Sequence, residues 1–348
     1  MKKLFYFSGI YGIIITQAQT TPSIAKKGKD MKKIDLNYYP GWTRKAISFT
    51  IDDGWLDMDT KFISIVKPCG IKGTFNISSH NVIKYEDKEF IKDTYRGFEI
   101  SNHVKRHPRA FDDSVKVTLS DEFFNASEAD KKLCYREEGC PDGVYLKYSE
   151  KYDRWDRVCT AEGYITLTEL CKTELEDIFG EGSVRGFVWP FCRQNNSETI
   201  EYLKKNYYGL RDAGKEEPMK DKTFSLPLDI SNWQYNARHS NLLVRAAEYE
   251  ALEDDGNLKW FCFGVHSVDF ERAENAGKWE DLEEFAAKYG NRPENYWYAT
   301  NAEVFDYEDA VKAVIIGDDH IKNPTEITLH ITVDGKRITL APKSEVKI

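Results

Sequence analysis

The sequence predicts an α/β fold, a (β/α) barrel of about seven parallel strands that carries one long insertion and a small C-terminal β appendage. Three observations point there. Short apolar or β-rich runs alternate with helix-period segments from about residue 45 to residue 313, and parallel neighbours in a sheet need crossover connections of that kind. The chain has 348 residues, about the size at which one large barrel buries a full core. The alternation fails between about residues 111 and 164 and gives way after about Gly317 to period-2 alternation. An open doubly wound sheet is the alternative arrangement of the same elements.

In chain order, Lys2 and Lys3 precede an apolar run from Leu4 to about Ile15, followed by Thr16, Gln17 and Ala18. A basic start, a short apolar run and a small residue after it read as a secretory signal peptide over residues 1–18. A membrane span would take roughly 20 apolar residues. The expectation is a secreted or periplasmic protein with no membrane span in the mature chain. Residues 19–37, which include KKGKDMKK, are polar without an apolar period and read as a linker.

The barrel is expected over residues 38–317. Its strands are KAISFTIDD, IKGTFNIS, FEISNH, VRGFVWPF, YYGLRDAG, TFSLPLDI, LKWFCFGVH and NYWYATN. Helix-period segments such as LDMDTKFISIV, NSETIEYLKKN, NLLVRAAEYEALEDDG and KWEDLEEFAAKYG follow them. The insertion, about 111–164, is polar, Tyr-rich and Cys-bearing, and irregular segments of that length are ordinarily a lid, a binding insertion or a small subdomain. Cys134, Cys140, Cys159 and Cys171 fall in or beside it and suggest one or two disulfides in an exported chain. The total of seven cysteines leaves at least one unpaired within the chain. Residues 318–348 contain ITLHITVDGKRITL, where Asp334-Gly335 is a hairpin signal.

A formal charge of −9 with 41% hydrophobic residues excludes a disordered chain and gives no general pull toward nucleic acid or anionic lipid. Candidate chemistry sits at the strand ends. Asp52 and Asp53 close the run AISFTI and are stopped by Gly54. Successive residues at a strand end point in different directions, so one carboxylate can bind a metal while the other takes a proton. Standing alone, Asp-Asp-Gly is an ordinary turn or helix cap. His103 and His107 follow FEIS with i, i+4 spacing, which on a helical turn lets two imidazoles clasp one divalent ion. His266 ends WFCFGV, where a barrel displays catalytic groups.

In this order, Thr50-Ile51-Asp52-Asp53-Gly54, His103-x-x-x-His107, Trp189-Pro190-Phe191 and Gly264-Val265-His266 resemble the polysaccharide deacetylase family, the NodB-like carbohydrate esterases of family 4. The resemblance covers about residues 45–313 without the insertion. It implies a distorted, NodB-like (β/α) barrel with one divalent metal ion on Asp53, His103 and His107, zinc first, with cobalt, nickel or manganese as alternatives. It also implies Asp52 as general base, His266 as general acid and the Phe191 backbone N–H as an oxyanion donor. The implied substrate is a glycan from which N- or O-linked acetyl groups are hydrolysed. Such an ion lowers the pKa of its water to roughly 7, and three protein ligands leave a position open for it.

Three departures from the family pattern stand out. Val104 follows the first histidine where Ser or Thr is usual, so a hydroxyl hydrogen bond is missing or replaced. Val188 stands where many members carry an Arg that holds the catalytic Asp, and Arg211 in GLRDAG is the residue that can reach the same place. Asp229, four residues before Trp233, is the loose counterpart of the family's Asp-and-Trp element and the candidate for orienting His266. With the aromatics Tyr145, Tyr148, Tyr152 and Trp155 in the insertion, these departures leave two other readings open. One is a carbohydrate-binding protein on a degenerate deacetylase scaffold, and the other a C–N hydrolase acting on a non-sugar amide.

Overall fold

A computed structural model of the chain describes residues 32–192, 196–212, 223–225, 229–230, 233–234, 241–274 and 276–348. The expected signal peptide lies outside them. The central sheet is built from β1 (Lys45–Asp53), β2 (Gly73–Ile77), β3 (Glu99–Asn102), β4 (Val184–Val188), β5 (Gly209–Asp212), β6 (Thr223–Ser225), β7 (Lys259–His266) and β8 (Trp297–Tyr298). The spatial order is β6-β5-β4-β3-β2-β1-β7, and every neighbouring pair is parallel. Strand β8 pairs with Ala46 and Ile47 of β1, below the segment from Phe49 onward that β2 occupies. No pairing joins β6 to β7 among the described residues.

Strands β1 and β7 are buried along nearly their whole length, which is why they read as continuous apolar runs rather than alternating ones. The helices that cover them include α1 (Leu56–Val66), α2 (Lys88–Thr94), α3 (Ala161–Phe179), α4 (Ser197–Asn206), α5 (Leu242–Glu250), α6 (Ser267–Arg272), α7 (Trp279–Tyr289) and α8 (Asn301–Lys312). Phe62 of α1 and Phe285 of α7 meet Phe49 of β1 edge-on at 5.2 and 5.3 Å, each ring removing on the order of 150–250 Å² from water. The registers pair Asp53 with Ile77, Ile77 with Asn102, Asn102 with Phe187, Val188 with Arg211, and His266 with Asp52. The carboxyl ends of the strands are therefore level, and every candidate residue on them reaches one face.

The insertion differs from the irregular segment expected. Strands at Arg109–Ala110, Leu119–Phe123, Cys134–Arg136, Val144–Ser149 and Arg154–Cys159 form a five-stranded sheet. The half-buried strands VYLKYS and RWDRVC carry aromatic or charged residues on both faces, so period-2 alternation is faint in them. The insertion ends at Thr160, not 164. Its hydroxyl accepts from Gly163 N–H at 3.2 Å and starts α3. A Cβ on Gly163 would come within 2.6 Å of the Gly143 carbonyl carbon, so glycine is needed for the sheet to meet that helix turn.

The expected disulfides are not formed, and Cys69, Cys134, Cys140, Cys159, Cys171 and Cys262 are free. Cys134 faces Lys147 and Cys159 faces Val144 across the insertion sheet. The C-terminal appendage comprises two three-stranded antiparallel sheets. Its hairpin turns at Asp334 (φ 50°) and Gly335 (φ 75°), both left-handed as a type I′ turn requires. Ile34–Asp35, inside the expected linker, adds a strand to this hairpin by pairing with Thr332 and Val333. No helix among the described residues is long and apolar enough to cross a membrane.

Candidate active site

Asp53, His103 and His107 converge where β1 and β3 end. Their ligand atoms all lie within 4.8 Å of one another, and both imidazole Nε2 atoms are 3.5 Å from Asp53 Oδ1. Donors at roughly 2.0–2.1 Å from a tetrahedral ion sit roughly 3.4 Å apart, so this carboxylate and two imidazoles fit a divalent cation. The 103–107 segment is a loop, not the helical turn that the spacing suggested: Val104, Arg106 and His107 have φ of 57°, 67° and 52°. Asp53 (φ 81°) and Phe191 (φ 58°) are left-handed as well, a concentration of backbone strain typical of functional sites. Gly54 (φ 77°) turns the chain immediately after Asp53, where a Cβ would lie 2.7 Å from Ile77 Cγ2.

The protonation pattern suits the same ion. His103 Nδ1 lies 2.9 Å from the Val188 carbonyl; donating there leaves the Nε2 lone pair facing Asp53. Burial, and then the neighbouring His103, push the His107 pKa down to about 3. Burial alone would raise the Asp53 carboxyl, but the hydrogen bond with His103 and the charges of His266 and His107 hold it well below the usual carboxylate range. Ser78 Oγ donates to the Val104 carbonyl at 2.5 Å, and Val104 N–H donates to Asn102 Oδ1 at 2.8 Å. The hydroxyl support that Val104 lacks thus comes from the end of β2.

Asp52, adjacent in sequence, points elsewhere. Its Oδ1 accepts from Asn76 Nδ2 at 2.8 Å and from the guanidinium of Arg211. Burial would raise this carboxyl, but Arg211 first, with His103 and His266, holds it at about 2. Asp52 is therefore ionised at neutral pH. His266 is its register partner on the adjacent β7, with Nε2 3.9 Å from Asp53 Oδ2. Its backbone N–H and its Nδ1 both lie 3.2 Å from Asp269 Oδ2. Burial lowers its pKa, yet the Asp269 hydrogen bond and the charges of Asp53 and Asp52 outweigh burial and raise it to about 9.

Phe191 follows β4, and its ring packs 4.5 Å from that of His107. Asp229 pairs with Gln234 in a short antiparallel ladder, while its side chain lies outside the described residues, and the residue found on His266 is Asp269. That position was legible as the N3 acid of a capping box, His266-Ser-Val-Asp269, at the start of α6. Asn76 was signalled only as an amide inside a buried strand. Trp55, whose Nε1 donates to Asp53 Oδ2 at 3.2 Å, carried no signal beyond an aromatic after Asp-Asp-Gly.

The model of the family described as polysaccharide deacetylase matches residues 41–210. A search of curated proteins found no match. Among solved structures, a candidate polysaccharide deacetylase from Mycobacterium smegmatis is similar at 15% identity and a TM-score of 0.48, over 80% of this chain and 94% of that one. Peptidoglycan deacetylase PdaC from Bacillus subtilis is similar at 13% identity and a TM-score of 0.40, over 77% and 94%. BA3943 from Bacillus anthracis, a CE4 family pseudoenzyme, is similar at 13% and 0.40, over 75% and 66%. The family model spans the Asp-Asp-Gly and His-x-x-x-His elements and the strands that carry them, so over residues 41–210 this chain is similar to the polysaccharide deacetylase family.

Proposed function

We propose that the protein is an exported, metal-dependent deacetylase that hydrolyses N- or O-linked acetyl groups of a polysaccharide or oligosaccharide. One observation carries the reading: the Asp53, His103 and His107 donors converge, flanked by an ionised carboxylate on Arg211 and by an imidazole on Asp269. A divalent ion held by those three residues, zinc in the first instance, would polarise the acetyl carbonyl and acidify a water molecule beside it.

The chain's own residues supply the rest. Asp52, kept ionised by Arg211, accepts the proton of the attacking water. The backbone N–H of Phe191 donates to the developing oxyanion. His266, held protonated by Asp269, delivers a proton to the departing amine or alcohol, and each such acid or base role is typically worth about 10²- to 10⁴-fold. Export is supported by Lys2, Lys3 and the apolar run after them. Arg211 on Asp52 and Ser78 under Val104 support the reading, since they stand where the chain departs from the family pattern at Val188 and Val104.

The test is acetate release from a panel of acetylated glycans by zinc-loaded protein. Wild type should release acetate, and Asp52→Asn and His266→Ala should each fall by two or more orders of magnitude with circular dichroism unchanged. Wild-type activity retained in either variant would remove that residue from the mechanism.

A further inference from the structure

Beside the catalytic face, the insertion sheet encloses an open cavity of about 230 Å³. Its apolar floor includes Ala110 and Val158, and its polar wall includes Arg109, Lys147 and Asp156. This is smaller than the roughly 300–1,000 Å³ of a pocket that takes a whole drug-sized ligand. It suits a single ring of a longer molecule.

Two contacts connect the cavity to the metal-ligand set. The Arg109 guanidinium lies 3.8 Å over the Phe191 ring, and that ring packs 4.5 Å from His107. The walls are fixed to the barrel on both sides. Arg157 of the insertion sheet donates to the Arg106 carbonyl at 2.7 Å, inside the loop between the two histidines. Asp113, in the loop after Ala110, accepts from Asn196 Nδ2 at 2.7 Å and from Ser197 N–H at 2.9 Å at the start of α4. The cavity is thus preformed and held in register with the catalytic loop.

The lining chemistry selects the ligand class. Asp156 is held by Arg154 at 2.7 Å and lies 3.9 Å from Arg109, while Asp112 accepts from the N–H and hydroxyl of Ser114. The Lys147 ammonium makes no ion pair among the described residues. Two carboxylates and two cations, with the Asp112 oxygens and the Lys147 ammonium as hydrogen-bonding groups beside an apolar floor, match a ring with hydroxyls at its edge and C–H groups on its face. They do not match a strongly charged or wholly apolar ligand.

We propose that this cavity is a carbohydrate subsite, binding the neutral sugar unit that adjoins the one whose acetyl group is removed. The proposal rests on the deacetylase reading. It makes the insertion the part of the chain that measures glycan length.

The experiment compares β-linked N-acetylglucosamine oligomers of one to four units, with an aryl acetate as a substrate too short to reach the cavity. Val115→Trp fills the cavity from an exposed position on its lining, and Lys147→Ala removes the available donor; neither touches the metal-ligand set. Wild type should show kcat/KM rising at least tenfold between the monomer and the trimer. Val115→Trp should abolish that rise, Lys147→Ala should reduce it severalfold, and both should leave aryl acetate hydrolysis unchanged. A length dependence equal in all three proteins, or absent from an active wild type, overturns the subsite. If wild type releases no acetate from any substrate, trimer binding by calorimetry separates the two ideas. Binding lost in Val115→Trp upholds the subsite while the deacetylase reading fails, and equal or absent binding overturns the subsite as well.

Discussion

Arg211 reaches Asp52 from the strand next to the one that carries Val188, and the two residues are register partners on β4 and β5. The guanidinium is thus supplied one strand over, at the same level of the sheet. Arg211→Met should leave a buried, unpaired carboxylate and cost about 3–5 kcal/mol of stability near neutral pH, read by chemical denaturation. It should also raise the Asp52 pKa, because burial is then opposed only by the weaker influence of His103 and His266, and move the acidic limb of the kcat/KM profile to higher pH. Val188→Arg should give no activity and lower the melting temperature, since Val188 is only 2% exposed and the carboxylate already has its cation.

The Asp269 contact predicts a shift of opposite sign. Asp269→Asn removes the strongest influence that raises the His266 pKa, so the imidazolium should lose its proton at lower pH. The basic limb of the kcat/KM profile should move down in pH while the acidic limb stays in place. A basic limb unchanged in Asp269→Asn would assign that limb to another group.

The indole of Trp55 orients the Asp53 carboxylate through Oδ2 and leaves Oδ1 to the two histidines. Outer hydrogen bonds of this kind typically contribute 10- to 100-fold to metal affinity. Trp55→Phe keeps the ring and removes the donor, and zinc affinity measured by chelator competition should fall by about tenfold or more. Trp55 is 41% exposed, so the substitution should leave the melting temperature of the metal-free protein nearly unchanged.

Asp59 makes stability depend on pH. It is fully buried on α1, where it accepts from Ser267 Oγ at 2.6 Å and from Tyr95 Oη at 2.7 Å. Burial outweighs both hydrogen bonds and raises its pKa to about 7. Between the ordinary value of 3.8 and about 7 the folded chain binds a proton that the unfolded chain does not, so this contribution to stability is full at low pH and is lost as pH rises to about 7. Asp59→Asn should flatten that slope. The check is urea denaturation at a series of pH values between 4 and 8 for both proteins.

Much of this was legible because strand ends and chemistry coincide. The eight apolar or β-rich runs become the eight strands of the central sheet, and Asp53, His103 and His107 meet as their positions implied. The strands of the insertion were not legible because Tyr, Trp, Arg and Lys occupy both of their faces, which hides the period of two. Its cysteines suggested disulfides, yet Cys134 and Cys159 are buried free thiols opposite Lys147 and Val144. The orienting role expected of Asp229 lies outside the described side chains, while Asp269, a capping acid three residues after His266, is found on the imidazole and needs no long-range placement. Asn76, Ser78 and Trp55 were not legible, because each acts through contacts that exist only once β1, β2 and the histidine loop are side by side.

The central claim is that one divalent ion on Asp53, His103 and His107 drives acetate release. Chelator-stripped protein titrated with zinc, with bound metal and acetate release followed together, tests it most directly. Release should rise linearly and saturate at one ion per chain, and His103→Ala and His107→Ala should show neither the tight site nor the activity. Full release from metal-free protein, or an unchanged tight site in both histidine variants, would contradict it.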